Sequence, residues 1–233
     1  ERVIESKSRL IRGFSHDIKN PLGAADGYAQ LLLDGLMGEL TQKQQESIGR
    51  IRAGIATALS LINDVVEFSR AESGQIEVRA SPFNADALVR EVVEEHRAEA
   101  ERAGARIEVR ELAGGQIICD AIRIRQILGN LVINAIKYAT TDGPITVAVR
   151  REESDHPRIH FSVSDCGPGI PEEKQHLLFE EFQRLHTGRK EGSGLGLAIS
   201  RRIARVLGGD VIVDSAAGRG STFTLWIPAP ATD

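Results

Sequence analysis

Residues 15–22 of the chain read Ser-His-Asp-Ile-Lys-Asn-Pro-Leu and lie in the middle of a long helical pattern. Apolar residues recur at heptad spacing on both sides of this stretch: Ile4, Ile11, Ile18, Ala25 and Leu32 at one seam position, Phe14 and Tyr28 at the other. The spacing predicts one amphipathic helix. At about 100° per residue, His16 falls off the seam, which predicts an imidazole that faces away from the helix partner.

A second heptad pattern predicts a partner helix for the first. It begins after Thr41, a predicted N-cap with Gln44 at the capping-box position, and continues through Ile48, Ile51, Ile55, Leu59, Ile62, Val65 and Phe68. Two glycines between Asp34 and Leu40 turn the chain. Residues 1–72 are therefore predicted to form a helical hairpin. Because one hairpin cannot bury its own seams, we expect two copies to form a dimeric four-helix bundle.

Beyond the hairpin the pattern changes to mixed helix and strand. Residues 73–82 contain Ser-Gly and Ser-Pro and are predicted to form a linker. In residues 83–233, Asn84 and Asp120 are predicted to cap two helices. Six short strands are predicted at 106–111, 116–119, 145–150, 158–164, 211–214 and 222–227. Strands with grouped helices predict an α/β two-layer sandwich, and we expect its strands to be antiparallel.

Composition and charge exclude several classes of protein. The 29 Lys and Arg against 33 Asp and Glu give the 233-residue chain a net charge of -4, which disfavours a nucleic-acid-binding protein. No apolar run approaches the roughly 18 residues of a membrane span, so we expect no membrane contact within this chain. Two cysteines and no signal peptide predict a reducing, cytoplasmic setting. Since the chain opens in helical pattern without an initiator Met, we interpret it as part of a longer protein.

A polar stripe runs along the helix that Asp120 is predicted to cap. Asn130, Asn134 and Lys137 occupy positions i, i+4 and i+7 of that helix. Asn costs a helix interior roughly half a kcal/mol relative to Ala, so repeated Asn calls for a reason. One interpretation is a solvated helix face. The other is that amide oxygens hold a hard cation such as Mg²⁺ while Lys137 faces phosphate.

Two glycine-rich segments are candidate anion sites. Asp165-Cys-Gly-Pro-Gly-Ile170 follows a predicted strand, and Gly192-Ser-Gly-Leu-Gly-Leu197 opens a predicted helix. Backbone N–H groups at a helix N-terminus can approach a phosphate, although glycine-rich turns are more often only turns. Leu197 breaks a G-x-G-x-x-G pattern and no P-loop motif is present, which disfavours Rossmann and P-loop sites. A third cluster, Gly218-Arg-Gly-Ser-Thr-Phe223, is by default a hairpin turn.

Six motifs in a fixed order are far more specific than any one of them. They are His16-Asp-Ile-Lys-Asn-Pro-Leu22, Asn130-Leu-Val-Ile-Asn-Ala-Ile-Lys-Tyr138, Asp165-x-Gly-x-Gly169, Phe179-Glu-Glu-Phe182, Gly192-x-Gly-Leu-Gly-Leu197 and Gly218-x-Gly-Ser-Thr-Phe223. In this combination the whole chain resembles the sensor histidine kinases of two-component signalling. The resemblance implies a dimerisation and phosphotransfer hairpin over 1–72, a linker over 73–82 and a Bergerat-type ATP-binding domain over 83–233.

The resemblance also implies roles for individual residues. His16 would be the phosphoacceptor and Asp17 its acid/base partner. Asn134 would coordinate Mg²⁺, with Asn130 as a further candidate ligand, and Asp165 would accept the adenine amino group. The other candidate nucleotide-binding residues are Lys137, Tyr138, Gly167, Gly169, Ile170, Phe179, Phe182, Gly192, Ser193, Gly194, Leu195, Gly196, Leu197 and Thr222. Residues 171–191 would form a mobile lid over the nucleotide.

The activity implied is that of an ATP-dependent protein histidine kinase with ATP and Mg²⁺ as its cofactors. It would act as a homodimer and pass the phosphoryl group to an Asp of a response regulator. Asn20 stands where Thr is common in the family, and an amide there could orient a water, which predicts an additional regulator phosphatase activity. Two alternatives are an ATPase of the gyrase and chaperone superfamily, which has no need of the motif around His16, and a degenerate kinase that serves only as a scaffold.

Overall fold

A computed structural model describes residues 2–138, 143–181, 183 and 193–228, with side chains from Ile11 onward except that of residue 12. The chain divides into two compact units, Glu1–Gln75 and Ile76–Asp233. Within the described residues, no helix combines the length and the apolar character that a membrane span requires.

The first unit is a pair of long helices, α1 (Arg2–Leu33) and α2 (Gln42–Glu72). Gly35 and Gly38 have φ angles of 75° and 109°, which favour glycine, and turn the chain between the helices. Thr41 and Gln44 form the predicted capping box at the start of α2. Ala29 of α1 and Ile55 and Phe68 of α2 are buried. The predicted helical hairpin is confirmed.

In its described residues, the second unit contains seven strands, four α-helices and a short 3₁₀ helix. In chain order these are β1 (Ser81–Asn84), α3 (Ala85–Arg102), β2 (Ile107–Ala113), β3 (Gln116–Cys119), α4 (Ala121–Tyr138), β4 (Ile145–Glu152), β5 (Arg158–Asp165), α5 (Glu172–Gln175), the 3₁₀ helix (His176–Phe179), α6 (Gly196–Val206), β6 (Asp210–Ser215) and β7 (Ser221–Pro228).

The main sheet has the strand order β2-β4-β5-β7-β6, and β1 pairs with β3 in a separate two-stranded sheet. Inward-facing residues such as Val147, Phe161 and Leu225 are fully buried. Helices α3, α4 and α6 pack against the main sheet, so the predicted two-layer sandwich is confirmed. The expectation of antiparallel strands throughout is wrong, because β2 and β4 are parallel. Helix α4 lies between them in the chain and supplies the crossover that a parallel pair needs.

Asp120 fixes the start of α4, the helix that carries the polar stripe. Its side chain is buried and accepts hydrogen bonds from the backbone N–H of Arg123, at 3.1 Å, and from that of Arg79, at 2.8 Å. The first bond is an N-cap. The second ties α4 to the segment that precedes β1.

Candidate functional site

His16 lies on an exposed turn of α1 with two polar neighbours near the same ring nitrogen. Its side chain is 76% exposed. Nδ1 of His16 lies 3.4 Å from Nδ2 of Asn20 and 3.7 Å from Oδ1 of Asp17. The helix places Asn20 one turn after His16, so the contact follows from the i, i+4 spacing. Both neighbours approach Nδ1, which leaves Nε2 directed away from them.

The two neighbours constrain the tautomer of His16. A carboxylate only accepts hydrogen bonds, so Asp17 favours the tautomer with its proton on Nδ1. The Asn20 amide can present either its NH₂ group or, after a half-turn of the amide, its oxygen. With the oxygen toward the ring, Asp17 and Asn20 favour the same tautomer. Nε2 then carries an exposed lone pair, which is what a nucleophile requires.

An apolar groove adjoins this turn within the first unit. Phe14 and Ile18 of α1 and Leu61 and Val65 of α2 line it. Phe14 is 72% exposed although it belongs to the predicted heptad seam. The surface around His16 therefore combines a polar imidazole with uncovered apolar side chains.

Asp165, the last residue of β5, is a partly buried acid of the second unit. The backbone N–H of Gly167 donates to its Oδ1 at 2.7 Å, and Ser221 supplies a second backbone hydrogen bond. Burial raises the pKa of the Asp165 carboxyl above its usual range, and these two bonds oppose the shift without cancelling it. A Cβ added at Gly167 would lie 2.6 Å from the Tyr138 carbonyl oxygen, so the end of α4 packs directly against this loop.

The loop after Asp165 is held in place by the turn between β6 and β7. Gly169 has a φ of 66°, and a Cβ there would lie 1.9 Å from the Ala216 carbonyl oxygen, so only glycine fits. The Gly218 N–H donates to the Pro168 carbonyl at 2.7 Å. The Ile170 N–H donates to Ser215 Oγ at 2.9 Å. These contacts tie the loop after Asp165 to the β6–β7 turn.

Thr222 is not brought to this cluster, and its neighbour Ser221 is. Thr222 Oγ1 lies 2.8 Å from Ser164 Oγ. Side chains alternate along a strand, so Ser164 and Thr222 share the sheet face opposite to Asp165. Ser221 is buried and pairs with Asp165 in the β5–β7 register. The sequence could have indicated Ser221, because strand alternation places Ser221 on the same face as Phe223 and Leu225.

The polar stripe of α4 faces the start of α6. Asn130 Nδ2 donates to Ser200 Oγ at 2.8 Å. A Cβ at Gly196 would lie 2.5 Å from Asn130 Oδ1, so the amide packs directly against the first turn of α6. Asn134, Lys137 and Tyr138 continue along α4 with half-exposed side chains.

The start of α6 lies in the second glycine-rich segment, which the sequence marks as a candidate anion site. Ser193 Oγ accepts a hydrogen bond from the Leu195 N–H at 3.1 Å, and Leu195 is buried. Gly194 has a φ of 72°. Leu197 lies in the first turn of α6 and is half-buried. The candidate residues Gly192 and Phe182 lie outside the described residues.

Phe179 contacts α6 through a cation–π interaction with Arg201. The Arg201 guanidinium lies 4.4 Å from the centre of the Phe179 ring. Asp210 holds this guanidinium with both oxygens, at 2.8 Å to Nε and 3.1 Å to Nη2. Burial raises the pKa of Asp210, but the hydrogen bonds from Arg201 and the Val211 N–H outweigh burial and lower it overall.

The side chains along α4 include amide oxygens, which are ligands that a hard cation accepts. In the described part of the chain, no group of three His, Cys, Asp or Glu residues could hold a metal ion. Mg²⁺ commonly uses one or two protein oxygens and completes its shell with substrate phosphates and water. The amide oxygens of Asn134 and Asn130 fit that role, and the glycines at the start of α6 give phosphates access to backbone N–H groups.

Family models match the two units separately. Residues 6–74 match the model described as the His Kinase A (phospho-acceptor) domain. Residues 119–231 match the model of the histidine kinase-, DNA gyrase B-, and HSP90-like ATPases.

Full-length relatives and solved structures match nearly the whole chain. It is 34% identical to the aerobic respiration control sensor protein ArcB of Escherichia coli, over 99% of this chain and 30% of ArcB. It is 34% identical to the circadian input-output histidine kinase CikA of Synechococcus elongatus, over 96% of this chain and 30% of CikA. The crystal structure of full-length ShkA in complex with AMPPNP superposes with a TM-score of 0.82 at 32% identity, over 97% of this chain and 47% of ShkA. The chain thus spans about 30% of the length of the curated relatives.

Proposed function

The chain belongs to the sensor histidine kinases, and we propose that it transfers the γ-phosphoryl group of ATP to Nε2 of its own His16. The observation that carries the proposal is the arrangement on α1, where an exposed imidazole has Asp17 and Asn20 at 3.7 and 3.4 Å from Nδ1. Asp17 favours the tautomer whose Nε2 is free to attack, and this tautomer does not require Asn20.

In the proposed step, Nε2 attacks the γ-phosphorus and the bond from that phosphorus to the β–γ bridging oxygen breaks. The products are phosphohistidine and ADP, and Asp17 stabilises the proton on Nδ1 as positive charge develops on the ring. Phosphoryl transfer depends mainly on positioning and on neutralised charge. When bound, Mg²⁺ neutralises phosphate charge.

The residues of the second unit would bind and orient the nucleotide. Asp165 would accept a hydrogen bond from the adenine amino group, beside the glycines that bring the backbone close to the base. Asn134, supported by Asn130, would hold Mg²⁺, and Lys137 would face phosphate. The Asp165 loop, which the β6–β7 turn holds in place, and the glycines Gly194 and Gly196 at the start of α6 support this assignment.

Labelling with γ-labelled ATP and Mg²⁺ tests the proposal. We expect an acid-labile, base-stable label on the wild-type chain and no label on a His16→Gln variant. A His156→Gln variant is the matched control, since His156 is an exposed histidine in the turn between β4 and β5. A His16→Gln variant that still labels would refute the site. Rapid release of free phosphate without any protein label would favour the gyrase-type ATPase instead.

We further propose that the chain acts as a homodimer, in a reducing cytoplasmic setting, and that its phosphoryl group passes to an Asp of a response regulator receiver domain. The uncovered apolar side chains near His16 support a protein partner at this surface.

Asn20 supports a second activity, dephosphorylation of that regulator. Its amide is exposed next to the phosphoacceptor ring and can hold a water by hydrogen bonds. We expect Asn20→Ala to lose ATP-independent dephosphorylation of a phosphorylated regulator by about tenfold or more while autophosphorylation is retained. Gln45→Ala, at an exposed position near the far end of the hairpin, should change neither activity. Unchanged dephosphorylation by the Asn20→Ala variant would contradict a phosphatase role for Asn20.

A further inference from the structure

We infer that Ser200 is a positioning residue for the nucleotide-bound Mg²⁺, because its hydroxyl orients the side-chain amide of Asn130. The inference rests on the proposed function, in which Asn130 supports the Mg²⁺ site. Ser200 lies in α6 and is only 2% exposed. Its Oγ accepts a hydrogen bond from Asn130 Nδ2 at 2.8 Å. The contacts around the Asn130 amide show which of its two ends faces the start of α6.

The Asn130 amide is enclosed by one face of α6. Gly196 and Ser200 are four residues apart and therefore lie on the same face of the helix. A Cβ at Gly196 would lie 2.5 Å from Asn130 Oδ1 and 2.9 Å from Nδ2. The amide thus packs flat against the helix with its nitrogen bonded to Ser200. Its oxygen lies beside Gly196, the first residue of α6.

This orientation matters because the two ends of an amide have opposite chemistry. The oxygen has lone pairs that can coordinate a cation, whereas the NH₂ group only donates hydrogen bonds. With Nδ2 donating to Ser200, the oxygen lies toward the helix N-terminus, where phosphates and their Mg²⁺ would lie. If Ser200 lost its hydroxyl, the amide could reverse and present N–H groups to the cation. Asn134 alone would then remain as an amide ligand.

Ser200→Val and Ser200→Thr form a matched pair that tests the role. The two side chains have nearly the same shape and are both β-branched, and only Thr keeps the hydroxyl. The affinity for a non-hydrolysable ATP analogue is measured by calorimetry across a Mg²⁺ titration and again in EDTA. We expect Val to raise the Mg²⁺ concentration for half-maximal binding by about 10-fold, since partners of metal ligands typically contribute that much. Thr should match the wild type, and binding in EDTA should be equal in all three proteins.

Equal Mg²⁺ dependence in the Val and Thr variants would overturn the inference. So would an equal loss by the Val variant with and without Mg²⁺, because that result would assign Ser200 to pocket packing. Thermal melts establish that each variant is folded. Ser200→Ala, which is smaller than Ser and cannot clash, must share the Mg²⁺-dependent loss. A wild-type chain that binds no nucleotide would instead contradict the proposed function itself.

Discussion

At the scale of single residues, Asp165 shows how the site balances burial against function. The end of β5 places its carboxyl where it is mostly shielded from water, and two backbone N–H groups bond to it. Burial is the larger effect, so the pKa of Asp165 is raised above the usual 3.8. Folding of the nucleotide-free protein therefore disfavours the charged form. A ligand that donates hydrogen bonds to the carboxylate would offset the cost of ionising Asp165 at this depth.

An Asp165→Asn variant should separate binding from stability. We expect nucleotide affinity to fall by about tenfold or more, since a charged hydrogen bond is lost. Protonated Asp165 stabilises the folded wild type relative to the ionised form. This contribution to the free energy of unfolding is fully present below pH 3.8 and is lost as the pH rises through the raised pKa of Asp165 in the folded protein. Asn does not ionise, so the free energy of unfolding of the variant should rise relative to wild type over the same pH range. Urea unfolding without nucleotide from pH 4 to 7 measures this difference, and a relative fall over that range would contradict the expectation.

Residues whose partners are close in sequence could be predicted from spacing alone. The placement of Asn20 against His16 follows from the i, i+4 relation, and Thr41 with Gln44 forms a capping box that its pattern specifies. Ser221 was missed in favour of Thr222, although a period-2 count from Phe223 distinguishes the two faces of β7. Ser200 could not be predicted as a partner of Asn130, because nothing local relates two residues on different helices.

At the scale of elements, local sequence signals determine the hairpin, whereas tertiary packing determines the parallel strand pair. The apolar stripes of α1 and α2, the capping box and the turn glycines are all local, so the sequence predicted both helices. The parallel pairing of β2 with β4 depends on how α4 crosses the sheet, which only tertiary packing decides. The loop after Asp165 is likewise held by a turn some fifty residues later in the chain. The position of this loop follows from long-range contacts, and its sequence motif indicates only that glycines are required.

At the scale of the whole molecule, a single copy leaves the hairpin incompletely covered. Within the described side chains, Tyr28 is 62% exposed and Ile51 is 58% exposed, and both are seam positions of the heptads. Covering a large apolar side chain contributes about 1.5–3 kcal/mol. The opposite face of α2 carries Ala53 and Ser60, both exposed, and needs no cover. The uncovered seams therefore favour a second copy of the same hairpin, in which identical seams meet across a two-fold axis.

Charges placed on the seam should dissociate the proposed homodimer, and the same charge on the opposite face should not. We expect Tyr28→Glu and Ile51→Glu each to weaken dimerisation by more than about tenfold, because each buries a carboxylate without a partner in the bundle. Ala53→Glu adds the same charge on the opposite face and keeps a good helix former, so the dimer should persist. Light scattering after size exclusion, over a dilution series of the 233-residue chain, measures the dissociation. If both seam variants remain dimeric at the wild-type concentration range, the seam is not the interface, and a monomeric wild type would contradict the dimer altogether.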